Sequence, residues 1–249
     1  MTPLLSVRHL RKSYGALAVT DDVSLDVAPG ELHAVIGPNG AGKTTLIHQL
    51  SGAARSDGGE IRLAGEDITR LGMVARVRRG LARSFQITSL LDGFSVLDNV
   101  ALAVQARSGS SFRFLRPVAG DRRLNGEAMA ALDRVGLADR AGRRAGSLSH
   151  GEKRQLELAV ALATGARLLL LDEPLAGTGP EESALLVGLL RDLKATHTLV
   201  LIEHDMAAVF ALADRMSVLV YGRVIASGPP DTVRADPAVR AAYLGEEAA

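Results

Sequence analysis

A glycine-rich segment ends in a lysine and a hydroxyl residue, which are residue types that bind phosphate. The pattern G-x-x-x-x-G-K-[ST] is met by Gly37-Pro38-Asn39-Gly40-Ala41-Gly42-Lys43-Thr44. In such a loop the backbone N–H groups from Gly40 to Thr44 surround the phosphates, Lys43 neutralises the terminal phosphate oxygens and the Thr44 hydroxyl coordinates Mg²⁺. Residues 32–36 before the loop, apolar apart from His33, are typical of a buried strand, and residues 45–50 after it are typical of a helix. We therefore expect a strand, a phosphate-binding loop and a helix in succession.

A second chemical feature is a pair of acids at the end of an apolar run. Residues 168–171 are four leucines, and Asp172 and Glu173 follow them directly. Ligands of open α/β sheets bind beyond the carboxyl ends of the strands, where these two acids would fall. In phosphoryl transfer one carboxylate holds Mg²⁺, directly or through water, and another polarises the attacking water as a general base. We assign the first role to Asp172 and the second to Glu173, the alternative being a solvated strand end.

A third feature is the start of a helix near Ser149. Ser149 and Glu152 have the S-x-x-E spacing of a capping box, and apolar residues such as Leu156 and Ala159 continue at helical spacing. The helix start carries unpaired N–H groups and a partial positive charge, and Gly151 would allow a phosphate to approach closely. An ordinary capped helix has the same pattern. These residues alone leave both interpretations open.

Together, the glycine-rich loop, Leu148-Ser149-His150-Gly151-Glu152 and the acid pair resemble the ATP-binding subunits of ABC transporters, nearly from end to end. In that family the phosphate loop of one subunit and the LSxG-type signature of another enclose ATP. The resemblance implies ATP and Mg²⁺ as cofactors. The residues expected to bind ATP are Tyr14, Gly37, Pro38, Asn39, Gly40, Ala41, Gly42, Lys43, Thr44, Thr45, Ser149, Gly151 and Glu152. Those expected to hold Mg²⁺ are Thr44, Gln86 and Asp172, and those expected to act in catalysis are Gln86, Glu173 and His204.

Some of these roles come from the resemblance alone. Tyr14 stands where the family places an aromatic ring that stacks on adenine, and Thr45 would add a phosphate contact. Phe85-Gln86 looks like the family's Gln loop, which senses the metal and touches the membrane subunits. His204 is at the family's switch position, where it would contact the γ-phosphate and help hold Glu173 and water. Without the resemblance, Tyr14 and His204 would be interpreted as structural residues.

Several smaller sequence features resemble those of the ATPases of branched-chain or hydrophobic amino-acid importers. They are His150 and Glu152 and the segments 175–177, 203–206 and 242–246. The resemblance implies that two such subunits close around two ATP molecules and that hydrolysis releases them. It also implies two membrane permease subunits, a second ATPase that is identical or related, and an extracytoplasmic binding protein. The expected function is ATP-driven transport of such amino acids or amides from the cytoplasmic face of the membrane.

Three other functions share part of this sequence pattern. The lipopolysaccharide-export ATPase is similar in the same features. A soluble ABC ATPase acting on ribosomes or DNA shares the nucleotide machinery, but such proteins usually carry two cassettes, a long coiled coil or an added module, which these 249 residues do not contain. A regulatory subunit that binds nucleotide without hydrolysis is disfavoured by intact Lys43, Asp172, Glu173 and His204.

Composition narrows the setting. The chain has no cysteine, which excludes disulfides and thiolate metal sites, and no segment has the order of a signal peptide. Its apolar runs are far shorter than the roughly 20 residues that span a bilayer, so we expect a cytoplasmic chain with separate membrane subunits. Net charge is +1, although residues 76–144 hold 13 Arg against 6 Asp and Glu. This region is either a solvated surface or a face near anionic lipid. With 3% aromatic residues, nucleic acid is not an expected partner.

One residue departs from the family pattern. The loop after the catalytic acid usually presents Asp or Asn to the partner subunit, whereas this chain has Gly179. A side-chain hydrogen bond from that position is impossible. Either backbone groups substitute for it, or this subunit contributes less to the partner's site.

The elements that position these residues predict an α/β fold with a P-loop NTPase core. We expect antiparallel strands at 7–10 and 17–27, a hairpin at 60–65, and parallel strands near 168–172, 198–203 and 216–220 with a helix near 181–195. An inserted helical lobe of about 87–155, with clear helices at 96–106 and 127–135, separates core segments of about 1–86 and 156–249 within one ATP-binding domain. Residues 108–117 have loop composition and are either a mobile excursion or a partner contact.

Overall fold

The computed structural model describes residues 2–84, 90–108 and 121–241. Its helices are α1 (Lys43–Ser51), α2 (Met73–Arg78), α3 (Val96–Arg107), α4 (Arg122–Arg134), α5 (His150–Ala163), α6 (Pro180–Lys194), α7 (Met206–Leu212), α8 (Pro230–Ala235) and α9 (Pro237–Val239). Its strands are β1 (Leu5–Tyr14), β2 (Leu17–Val27), β3 (Leu32–Ile36), β4 (Gly58–Leu63), β5 (Glu66–Asp67), β6 (Leu81–Arg83), β7 (Leu168–Asp172), β8 (Thr198–Ile202), β9 (Arg215–Val220) and β10 (Arg223–Gly228).

The central sheet has the strand order β10-β9-β3-β8-β7-β6. Strands β9, β3, β8, β7 and β6 run parallel to their neighbours, and β10 is antiparallel to β9. All residues of β3, β7 and β8 are buried, which is why these strands are continuous apolar runs rather than alternating ones. The carboxyl ends of β3 and β7 therefore lie at one edge of the sheet, where Gly37 and Glu173 follow them.

The second sheet is antiparallel, in the order β2-β1-β4-β5. Residues on one face of its strands, such as Val7, Val23 and Ile61, are fully buried in a cluster that also contains Leu46 and Ile47 of α1. The helix that follows the glycine-rich loop is thus packed between the two sheets. This packing fixes the loop relative to β3.

Helices α3, α4 and α5 pack against one another, and they share one hydrophobic cluster with β7 and β8. Val100, Leu132 and Leu156 from the helices and Leu169 and Leu201 from the strands belong to it. Helix α5 crosses the boundary near residue 155 that the sequence suggested between two lobes. The division into lobes remains a prediction.

The α/β fold and its parallel and antiparallel strands are confirmed, and some boundaries were wrong. Strand β1 extends from Leu5 to Tyr14 rather than over 7–10, because register shifts against β2 interrupt the alternation that marks a strand. Helix α4 begins at Arg122 rather than near 127, because Asp121 caps it by accepting from the N–H groups of Arg123 and Leu124.

Some expectations lie outside the described residues: Phe85-Gln86, most of 108–117, and 242–246. Within the described ranges, each helix is too short or too polar to span a bilayer.

Candidate active site

The glycine-rich loop between β3 and α1 depends on two glycines for close backbone contacts. A Cβ atom at Gly37 would lie 2.0 Å from the carbonyl oxygen of Leu219, and one at Gly42 would lie 2.3 Å from that of Val19. Gly42 also has a φ of 103°, in the left-handed region that favours glycine. Any side chain at these two positions would displace β9 or β2 from the loop.

The loop presents unpaired N–H groups to solvent. Within the described residues, the backbone N–H groups of Gly40, Gly42, Lys43 and Thr44 donate to no protein acceptor. The N-cap of α1 is Gly42, which has no side chain to satisfy them. Such a cluster at a helix N-terminus is a binding site for an anion, because the N–H dipoles and the helix dipole both favour negative charge.

The Lys43 side chain folds back over the same loop. Its Nζ donates to the carbonyl oxygens of Gly37, at 2.6 Å, and Pro38, at 3.0 Å. Burial lowers the pKa of Lys43, and the negative charges of Glu173 and Asp172 oppose that shift. The ammonium group is therefore held at the loop by neutral carbonyls, which a bound phosphate can replace.

Strand β7 carries the acid pair to the same edge of the sheet. Asp172 is its last residue and is 2% exposed. Its Oδ2 accepts a hydrogen bond from Arg83 Nη2 at 2.8 Å. Glu173 follows with a φ of 49°, which is strained for a residue with a side chain, and its N–H donates to Ile202 O at 2.9 Å. Strain of this kind costs on the order of 1–3 kcal/mol and clusters at functional sites.

A buried glutamate that the sequence reasoning missed ties the two neighbouring loops together. Glu203, 1% exposed, accepts from the N–H of Leu175 at 2.8 Å and from that of His204 at 3.2 Å. Burial raises the pKa of Glu203, and these hydrogen bonds oppose the shift. The His204 side chain is 65% exposed, with Nδ1 3.9 Å from Glu203 Oε2. A charged residue directly after the apolar residues 199–202 was the signal that could have identified Glu203.

The signature helix α5 begins as expected. Ser149 is its N-cap, and both capping-box hydrogen bonds form: Glu152 N donates to Ser149 Oγ at 3.2 Å, and Ser149 N donates to Glu152 Oε2 at 2.9 Å. The hydrogen bond from Ser149 N–H, aided by Arg140, lowers the pKa of Glu152. Glu152, which we expected to bind nucleotide, is thus engaged in capping its own helix.

The space beside Gly151, where we expected a phosphate to approach, is occupied by another residue of the chain. A Cβ atom at Gly151 would lie 2.7 Å from the carboxyl carbon of Glu182. Ser149 Oγ donates to Glu182 Oε1 at 3.3 Å. Glu182 belongs to the first turn of α6 and escaped the sequence reasoning, because only the tertiary fold brings α6 to the start of α5.

The remaining expected residues lie at the borders of this region. Tyr14 ends β1 with half of its surface exposed, and Lys12 Nζ lies 5.3 Å from the centre of its ring. Thr44 is exposed at the start of α1, and Thr45 is half-buried. Gly179 is the N-cap of α6 and offers no side-chain cap. Gln86 lies outside the described residues.

The oxygen donors here fit Mg²⁺. Thr44 offers a hydroxyl and Asp172 a carboxylate, and Mg²⁺ prefers one or two such ligands with waters and substrate phosphates. In the part of the chain that the structure describes, no group of three or more His, Cys, Asp or Glu residues could form a closed metal cage. A metal at this site would therefore depend on the nucleotide for much of its coordination.

The family model described as "ABC transporter" matches residues 20–176. This range runs from within β2, through the phosphate-binding loop, past the acid pair. The chain belongs to the ABC transporter family. It is an ATP-binding subunit of the ATPase class, and the recognition, the fold class and the enzyme class expected from the sequence are confirmed.

Relatives of this ABC ATPase match over nearly the whole chain. It is 39% identical over 252 residues to the "High-affinity branched-chain amino acid transport ATP-binding protein LivG" of Escherichia coli (strain K12), covering 98% of each chain. It is equally identical to the protein BraF, of the same description, from Pseudomonas aeruginosa, again covering 98% of each. The "Lipopolysaccharide export system ATP-binding protein LptB" of Acidithiobacillus ferridurans is 38% identical and is covered to 99%.

A second family model, "Branched-chain amino acid ATP-binding cassette transporter", matches residues 223–249 of the ABC ATPase. Among solved structures, a nucleotide-free ATP-binding cassette from an ABC transporter superposes with a TM-score of 0.85 at 28% identity, covering 97% of this chain and 99% of that one. The ADP conformation of another cassette superposes with a TM-score of 0.86 at 28% identity, covering 98% and 100%.

Proposed function

We propose that this ABC ATPase powers the import of branched-chain or other small hydrophobic amino acids or amides. The observation that carries the proposal is the match of residues 223–249 to the branched-chain family model, which joins the 39% identity to LivG and BraF. The lipopolysaccharide-export function is a second candidate, favoured by the 38% identity to LptB.

In the proposed mechanism the nucleotide phosphates bind the unpaired N–H groups at Gly40, Gly42, Lys43 and Thr44. Lys43 exchanges the carbonyls of Gly37 and Pro38 for phosphate oxygens. This exchange keeps the ammonium group hydrogen-bonded throughout, so little desolvation is added when phosphate arrives.

Bound Mg²⁺ would supply charge neutralisation, held by Thr44, Asp172 and Gln86. Glu173 accepts a proton from the attacking water, and the strained backbone at Glu173 holds this residue against β8 through its bond to Ile202. Glu203 holds the backbones of Leu175 and His204 together, so that the loop after Glu173 and the loop carrying His204 move as one unit.

Two ATPase subunits would enclose two ATP molecules, with the α5 start of one subunit against the γ-phosphate on the other. Closure would act on two permease subunits at the cytoplasmic face of the membrane, and an extracytoplasmic protein would deliver the cargo. The resemblance of the signature and of the terminal segment to importers supports these partners.

Gentle solubilisation and co-purification with this chain test the assembly. We expect the Glu173→Gln variant, purified in the presence of ATP, to carry two multi-span proteins and a second ATPase with it. Lys43→Ala is the matched control, in which the two ATPase subunits should not close around ATP. Vesicles containing the purified assembly should then take up labelled leucine or a short amide only with ATP inside. Recovery of ribosomal or DNA-associated proteins instead would exclude the transport function, and lipopolysaccharide release without amino-acid uptake would favour the second candidate.

A further inference from the structure

Asp172, the proposed metal ligand, is engaged with a cation of its own chain. Arg83 is the last residue of β6, which lies parallel to β7 with Arg83 opposite Leu170. The Arg83 Nη2 and Asp172 Oδ2 atoms are 2.8 Å apart, and the two side chains are 7% and 2% exposed. A buried carboxylate is costly without a counter-charge, so this contact stabilises Asp172 where it lies.

Other basic groups near Asp172 do not replace Arg83. Lys43 donates hydrogen bonds to the carbonyls of Gly37 and Pro38, and the charge of Asp172 acts on it without a hydrogen bond between them. His48 has a pKa lowered by burial and by the positive charge of Arg83, which favours its neutral form. Among the described residues, Arg83 is the cation within ion-pair distance of Asp172.

A second acid, Glu157, lines an apolar groove that Arg83 also lines. Arg83 and Glu157 both line this groove, together with Leu81, Leu90 and Val160. Glu157, 7% exposed, pairs with Arg154 through Oε2 at 2.9 Å. Its other oxygen, Oε1, is buried and accepts no hydrogen bond within the described residues. A buried oxygen without a donor is unfavourable, so Glu157 offers an unsatisfied acceptor in the groove that Arg83 also lines.

We propose that Arg83 is a positioning residue that occupies the place of the metal: it pairs with Asp172 in the absence of nucleotide and transfers to Glu157 Oε1 when nucleotide-bound Mg²⁺ takes Asp172. The proposal rests on the proposed function, in which Asp172 holds the metal. A guanidinium and a dication repel each other when they share one buried carboxylate. The repulsion drives Arg83 away, and Glu157 accepts it.

Arg83 lies at the end of β6, directly before the last residue described on this side of the sequence segment that resembles the Gln loop. Ser84 N–H donates to Leu170 O at 2.9 Å, so the β6 backbone is held up to that residue. Phe85-Gln86 follows at once in the sequence. The Arg83 side chain thus joins the metal site to the groove, at the point where the Gln loop begins.

Arg83→Met gives a test in which the two measured effects have opposite signs. In a Glu173→Gln background, which stops turnover, we expect a lower unfolding temperature without nucleotide, because Asp172 loses its counter-ion. We also expect Mn²⁺, measured by electron paramagnetic resonance with ATP present, to bind about fivefold more tightly, a coupling typical of contacting charges. If Arg83 had a purely structural role, Arg83→Met would lower both the unfolding temperature and the affinity for Mn²⁺. Weaker Mn²⁺ binding would therefore overturn the proposal.

Glu157→Gln tests the second position. With Arg83 present it should weaken Mn²⁺ binding about fivefold, because Arg83 loses its alternative partner, and with Arg83→Met it should have no effect. Equal effects in both backgrounds would overturn the transfer. Arg83→Lys, which keeps the positive charge, is the control. It should have the unfolding temperature of the wild type and bind Mn²⁺ with the affinity of the wild type.

Asp172→Asn separates this proposal from the proposed function. If Asp172→Asn leaves Mn²⁺ binding unchanged while a fluorescent ATP analogue still binds in EDTA, the metal role of Asp172 fails. If it weakens Mn²⁺ binding and the Arg83 and Glu157 variants change nothing, the transfer alone fails.

Discussion

The starts of α1 and α5 are two helix N-termini with opposite states. At α1 the N-cap is Gly42, without a side chain, and nearby N–H groups have no acceptor in the described chain. At α5 Ser149 and Glu152 close a capping box, and the Glu182 carboxylate lies against Gly151. Both ends attract anions for the same reason, the partial positive charge of the helix start. Only α1 is left open for an anion from solution.

Because of this difference, one chain can bind ATP without completing the site. Lys43 adds a positive charge at α1, where phosphate is expected first. Glu182 adds a negative charge at α5, where the γ-phosphate on a partner subunit would have to displace it. From these charges we propose that nucleotide binds before closure.

Lys43→Ala should remove the positive charge that makes the start of α1 a phosphate site. Removing one pre-organised donor to phosphate costs about 100- to 1,000-fold in rate, and here it also removes the charge that attracts the anion. ATP hydrolysis by the chain should fall by at least that factor, as measured by phosphate release. Lys194→Ala, on the remote end of α6, is the control. Turnover within tenfold of wild type would contradict the role of Lys43.

Glu173→Gln should leave the α1 site loaded while stopping the chemistry. Loss of a general base costs about 100- to 10,000-fold, whereas ATP binding at the loop is unaffected. Single-turnover kinetics and equilibrium binding of ATP separate the two. A rate close to that of the wild type would mean that another residue activates the water.

Ser149→Ala tests the capped end. Loss of the N-cap hydrogen bond should lower the free energy of unfolding by about 1 kcal/mol, measured by urea denaturation. The same change should weaken ATP-driven pairing of Glu173→Gln subunits, followed by light scattering. Ser95→Ala removes the equivalent cap of α3 and should lower stability alone. If both variants pair equally well, Ser149 serves only its own helix.

Glu182→Gln should make α5 resemble α1. A charge at a helix terminus contributes about 0.3–1 kcal/mol, so subunit pairing in ATP should strengthen about two- to fivefold. Glu181→Gln is the matched control, since Glu181 is an exposed acid in the same first turn of α6. Equal effects of the two changes would point to net charge rather than to the contact with Ser149 and Gly151.

Gly179→Asn should have the smallest effect. Gly179 has an ordinary extended φ of −73°, and nothing lies within 4 Å of an added Cβ, so asparagine fits. As an N-cap it should stabilise α6 by a few tenths of a kcal/mol over glycine. If the missing side chain weakens the partner's site, ATP turnover of the assembled transporter should rise. Unchanged turnover would show that backbone groups already serve there.

The residues that could be predicted from the sequence were those that belong to a motif with fixed spacing. Lys43 follows two glycines at fixed distances, and Ser149 precedes Glu152 by three residues, so local geometry alone specified their surroundings. Asp172 was predictable because a buried parallel strand has only one end that a ligand can reach. The α4 start and the length of β1 were missed because a single capping residue and strand bulges leave a weak periodic signal.

Local sequence patterns were enough to predict the phosphate-binding loop, the acid pair, the family and most of the helices and strands, because each depends on residues close together along the chain. Contacts between distant residues could be known only from the folded chain: the ion pair of Arg83 with Asp172, and the hydrogen bonds of Glu203 with Leu175 and of Glu182 with Ser149. Those contacts join residues that are 28 to 89 positions apart. They arise from strand order and helix packing, which no local pattern encodes.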